Sequence, residues 1–158
     1  YRYTVGLILA VSSNLAGADP ALLYSTYLNG SEGVVLRASF VDRMGNAYLT
    51  ANLVLDFPLT PGAPSTEAEY PAVFGTPGDS DCAVVQFGAD WSPVGAIGIA
   101  GGKMQNCSAV GGTPDGNWVA IGRAYGPGLP TTPDAIRPDW RGPVGEDWSD
   151  VFVVLAKP

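Results

Sequence analysis

The feature that most constrains this chain is an internal repeat of about seventy residues. Gly45-Asn46 recurs as Gly116-Asn117, 71 positions on. Phe57-Pro58-Leu59-Thr60-Pro61 recurs as Leu129-Pro130-Thr131-Thr132-Pro133 at a spacing of 72. Ser80-Asp81 before an apolar run recurs as Ser149-Asp150 at 69. Three landmarks in one order, drifting by only one or two residues, define two copies of one supersecondary unit. Such units do not bury both of their faces alone, so they stack on one another.

Inside each copy the apolar period is two, the signature of strands. The first residues set the pattern: Tyr1, Tyr3, Val5, Leu7, Leu9 and Val11 fall on one face, with Arg2, Thr4, Gly6, Ile8, Ala10 and Ser12 on the other. A rival reading of this stretch is an uncleaved signal peptide (Arg2, an apolar run, then Ala16-Gly17-Ala18), but the strict alternation favours a strand. The remaining strands are expected at 21–28, 34–42, 46–55, 82–87, 94–100, 107–112, 117–124 and 150–156, with the first at 5–11. Asn29-Gly30 is a type I′ turn signal, and Gly45 and Gly116 sit where a hairpin needs φ > 0. Two Pro-rich stretches, 57–81 and 125–149, read as long surface loops. With 21 Gly and 14 Pro and no helical pattern, the chain is all-β, a single domain over 1–158. It divides into N-terminal strands (1–30), a first repeat (31–102) and a second, partial repeat (103–158).

Composition narrows the function. Lys and Arg number 8 against 15 Asp and Glu, a net charge of −7, which argues against nucleic acid and anionic membrane surfaces. No run approaches 18 apolar residues, so nothing inserts into a bilayer as a helix. There is no His, so Cys82 and Cys107 cannot complete a Cys/His zinc site. The pair reads as one disulfide in an oxidising compartment, with two buried thiols as the alternative. Two sequons, Asn29-Gly30-Ser31 and Asn106-Cys107-Ser108, make Asn29 and Asn106 glycosylation candidates.

The motifs LLYSTYLNG (22–30), DRMGNAYLTA (42–51), DFPLTPGA (56–63), DCAVVQF (81–87), PDGNWVAIG (114–122) and DVFVVLAKP (150–158) resemble the SBBP-type β-propeller repeat family. In the second copy the Tyr-rich strand is reduced to AIGIAGG (96–102). The resemblance implies propeller-like antiparallel sheets in a surface or secreted protein, with no shared active site. Read as blades, the strands group as two, four and three, about two blades plus the N-terminal strands. Propellers close with about four to eight blades, so this chain departs from the family's long arrays and leaves open sheets.

Catalytic chemistry finds little support. Without His or a reactive Cys the usual nucleophile–base pairs cannot be built. Asp79 with Asp81, and Glu146 and Asp147 with Asp150, are carboxylate clusters at strand starts, where Asp ordinarily closes Asx turns. No metal or organic cofactor is implied. Trp91, Trp118, Trp140 and Trp148 offer aromatic faces for a sugar-stacking site; Trp118 lies in a strand and reads as packing, and Trp140 and Trp148 are the better candidates for ligand or partner contact.

The expectation is therefore an extracellular or cell-surface structural subunit, without enzymatic activity, completed by self-assembly. Identical copies join head to tail into a filament through β-strand contacts, and the strand of Tyr1, Tyr3, Val5, Leu7, Leu9 and Val11 crosses between subunits by β-augmentation. The alternative is a lectin-like module that closes an oligomeric propeller and binds glycans.

Overall fold

The computed structural model describes residues 6–12, 21–28, 34–53, 81–101, 103–143 and 148–157. Among these there is no helix, and nine strands run in order: β1 (Gly6–Ser12), β2 (Ala21–Leu28), β3 (Val34–Val41), β4 (Ala47–Leu53), β5 (Asp81–Phe87), β6 (Pro93–Ile99), β7 (Gln105–Gly112), β8 (Trp118–Ala124) and β9 (Asp150–Ala156). They form three antiparallel meanders: an N-terminal sheet β1-β2, a middle sheet β3-β4-β5-β6 and a C-terminal sheet β7-β8-β9. Every hydrogen-bonded neighbour is also the neighbour in sequence. Local pairing therefore specifies the sheets, and packing between sheets specifies the rest.

Three connections are the same five-residue turn. In 42–46, 88–92 and 113–117 the first residue's N–H donates to the carbonyl of the fifth, and the fourth residue's N–H donates back to the carbonyl of the first, at 2.8–3.1 Å. The fourth residue carries positive φ: 89° at Gly45, 83° at Gly116 and 64° at Trp91. Glycine adopts this conformation without a steric penalty, and tryptophan does not. Trp91 is held there by its stack on Tyr24 of β2, with centroids 5.9 Å apart and planes 23° apart.

The repeat extends to the irregularities. The β3–β4 ladder skips Arg37 between Leu36 and Ala38, and the β7–β8 ladder skips Ser108 between Cys107 and Ala109. On the other side, β5–β6 skips Val94 between the pairs made by Gln86 and Phe87, and β1–β2 skips Leu23 between the pairs made by Ala10 and Val11. Each bulge displaces the register of its strand by one residue, so matching bulges fix the correspondence. β3 and β7 are first strands of a unit, β4 and β8 second, β1, β5 and β9 third, and β2 and β6 fourth. Among the described residues the middle sheet holds all four kinds of strand, the N-terminal sheet a third and a fourth, and the C-terminal sheet a first, a second and a third.

Strands β4 and β5 and the second half of β6 are buried on both faces, whereas β3 is largely exposed, with Val35, Leu36, Phe40 and Val41 between 41% and 58% accessible. One face presents Ala47, Leu49, Ala51, Ala83, Val85 and Phe87, and Tyr24, Leu28 and Trp91 pack against it. The other presents Tyr48, Cys82, Val84, Ile97 and Ile99 to Cys107, Trp118, Ala120, Ala124 and Phe152 of the C-terminal sheet. There β7 runs against β3, β4 and β5. Gly112 of β7 lies so close to the Tyr48 ring that a side chain at this position would overlap it.

Several boundaries differ from expectation. Asp81 is not the end of a loop: it pairs with Leu53 as the first residue of β5 and is buried. β7 starts at Gln105, two residues early, because the Tyr125 N–H donates to the Met104 carbonyl and the buried Gln105 Oε1 accepts from Gly101 N–H. β2 and β3 belong to different sheets, so they do not pair as a hairpin. Residues 29–33, the end of β4 expected at 55 and the Pro-rich stretch to residue 80 lie outside the described residues.

Candidate functional site

The two sides of the interface between the middle and C-terminal sheets are tied by covalent and polar links. Cys82 on β5 and Cys107 on β7 form a disulfide, with Cα atoms 5.2 Å apart, and both are buried. Beside it runs a directed chain of hydrogen bonds. Trp118 Nε1–H donates to Gln86 Oε1, Gln86 Nε2 donates to Tyr48 Oη at 3.4 Å, and Tyr48 O–H donates to Asp42 Oδ2 at 3.2 Å. Asp42 also accepts from the Asn46 amide side chain at 2.8 Å and from the backbone N–H groups of Met44 and Asn46 at 2.8 and 2.9 Å. These bonds, the Asn46 side chain first, hold its carboxyl below the usual carboxylate range. Burial, and then the bond to the Asp42 carboxylate, raise the Tyr48 phenol above its usual value. This network satisfies buried polar groups and orients two sheets. All of its acceptors are occupied, so it holds no poised base.

The other described turn carboxylates are satisfied in the same local way. Asp90 accepts from Ser92 N–H and O–H, Asp115 from Thr113 O–H and Asn117, and each titrates below the ordinary value, chiefly through the Ser92 and Thr113 hydroxyls. Asp150 is exposed at the start of β9, while Asp79, Glu146 and Asp147 lie outside the described residues. Among the described residues no three His, Cys, Asp or Glu side chains gather as a metal site.

The residues singled out from sequence are placed as follows. The disulfide is formed. Trp118 is buried packing. Trp140 is half-buried, donates its Nε1–H to the Gly142 carbonyl and packs on the C-terminal core, anchoring its loop. Trp148 stands 59% exposed just before β9. Asn106 lies on β7 with its carboxamide against that of Asn52, beside Arg37, so a glycan there requires the amide to leave its partner. Leu7, Leu9 and Val11 belong to β1, paired to β2 within the chain. Tyr1, Tyr3, Val5 and Asn29 lie outside the described residues.

The surface that sequence reasoning did not single out is the outer face of the C-terminal sheet. On β9, Val151, Val153 and Leu155 are 72%, 67% and 65% exposed; their register partners on β8 are Arg123, Ile121 and Val119. The repeat assigns each a counterpart on the middle sheet's buried face: Val151 to Cys82, Val153 to Val84, Leu155 to Gln86, Val119 to Tyr48, Ile121 to Thr50 and Arg123 to Asn52. Tyr48 pairs with Gln86 as Val119 pairs with Leu155, so both faces have one geometry. One is covered by the next sheet and the other is bare. The signal was present in sequence as the second repeat itself, but alternation alone does not say which face of VFVVLA meets a partner.

No helix among the described residues is long and apolar enough to cross a membrane. No protein-family model matches the chain, and no curated protein matches it.

Proposed function

We propose that the protein is a non-enzymatic structural subunit of the extracellular space or cell surface, which joins head to tail with identical copies into a filament through contacts between β-sheets. Its meanders serve as blades of a propeller-like repeat of the SBBP type, and assembly supplies a neighbour for the uncovered face. The observation that carries this reading is the outer face of the C-terminal sheet. It repeats, position by position, a face that the same chain keeps buried, and it is more apolar than that buried face. Removing a Val or Leu side chain from water contributes about 1.5–3 kcal/mol, so three on one strand favour association strongly. A disulfide between sheets suits an oxidising compartment.

Such a contact is heterologous: the C-terminal end of one copy meets a different surface of the next, giving a fibre unless the rotation closes. Light scattering over a concentration series, with electron micrographs of the same material, tests it. Growth in mass without a fixed upper size, with filaments in the micrographs, is expected. A monomer at every concentration overturns the proposal, and one small fixed mass replaces the filament with a closed ring.

A further inference from the structure

Resting on the self-assembly reading, the register equivalences go on to name the strand that completes the open sheet. The C-terminal sheet ends at β9, a third strand with nothing beyond it among the described residues, whereas its counterpart β5 carries β6 as a fourth strand. Among the described residues one other strand is of the fourth kind, β2, which pairs with β1 by the register and bulge that join β6 to β5. β1 and β9 are thus equivalent strands, and β2 fits either. We propose that in the assembly β9 of one copy takes the place of β1 beside β2 of the next copy.

The exchange solves two problems at once. It gives the C-terminal sheet its fourth strand, with Val153 opposite Thr26, as Val84 is opposite Ile97 and Ile8 is opposite Thr26. It also sets the bare face of Val119, Ile121, Val151, Val153 and Leu155 on the next copy's middle sheet, the kind of surface that its counterpart face already contacts. One antiparallel ladder replaces another of the same register, so the swap adds face-to-face burial without a net loss of strand pairing. β1 is the intramolecular competitor, and its attachment keeps the isolated chain capped until concentration overcomes it.

The test mixes Val153→Cys copies with Thr26→Cys copies before assembly and oxidises them gently, leaving the native disulfide in place. A covalent dimer containing one of each is expected. It should be absent when Ser25→Cys, on the opposite face of β2, replaces Thr26→Cys. Assembly of normal mass without that dimer overturns the strand assignment and leaves the self-assembly reading intact; absence of assembly in the unmodified protein overturns both. A chain lacking residues 1–12 gives a second readout free of engineered thiols. Removing the competitor should lower the half-assembly concentration by about tenfold or more. An unchanged or raised half-assembly concentration sinks the proposal.

Discussion

The inner face of the middle sheet and the outer face of the C-terminal sheet share one backbone register and differ in every matched side chain but the Val84–Val153 pair. The buried one carries Tyr48, Thr50, Asn52 and Gln86, and the exposed one carries Val119, Ile121 and Leu155 with Arg123. This inverts the ordinary distribution of polar and apolar residues. Gln86 and Asn52 are stable inside because the partner sheet supplies Trp118 and Asn106 as hydrogen-bonding neighbours. Apolar groups outside have no such compensation. The comparison teaches that a face's composition follows the partner it meets in the working state rather than its exposure in one chain.

The sharpest way to break the comparison is to place the same charge at equivalent positions. Val84 is fully buried, so Val84→Lys leaves an unpaired ammonium in the core and should destabilise by about 3–5 kcal/mol. Val153→Lys should leave the melting temperature of the monomer nearly unchanged, within about 0.5 kcal/mol, while abolishing the growth in mass seen by light scattering. Equal destabilisation by both would mean that the outer face is structured by something within the chain.

Opening the disulfide separates the covalent from the packing part of the buried interface. Cys82→Ala with Cys107→Ala removes a cross-link spanning 25 positions, a loss of about 3 kcal/mol on the loop-entropy model, measurable by denaturant unfolding. Alkylation of native protein without reductant should label neither cysteine. Two labelled thiols would remove the clamp from the account.

The repeat itself is tested at its turns. Gly45→Val and Gly116→Val each force a β-branched residue to positive φ and should cost about 1–2 kcal/mol. Gly45→Val should be the worse of the two, because its side chain also meets Ala89 at 3.2 Å whereas Gly116 has open space. Equal and negligible shifts in melting temperature would dissolve the equivalence on which the faces are matched.

The smallest effect is on acid stability. Asp42, Asp90 and Asp115 have folded-state values below their unfolded ones, so their contributions are fully present above the ordinary carboxylate pKa. They are lost as pH falls through the lowered folded values. Asp42→Asn should flatten part of this acid limb in pH-dependent unfolding. An unaltered limb would mean that the Asn46 and backbone bonds do not hold the carboxylate.

By itself the sequence determined the strands, because alternation is a local property of the pleat and each ladder joins neighbours in the chain. Eight of the nine strand starts fall within one residue of expectation, which leaves β7 as the exception. The two glycine turns were legible for the same reason, since only glycine takes positive φ freely. The third turn was not, because nothing local marks Trp91 for that conformation: its stack on Tyr24 comes from another sheet. Tertiary structure alone decided that β2 and β3 belong to different sheets, that Gln86 and Trp118 meet, and which face of each sheet is covered. Alternation marks two faces on every strand but carries no information about what lies opposite, and that depends on residues tens of positions away. The uncovered face of β8 and β9 was therefore invisible as a site until the sheets had been stacked.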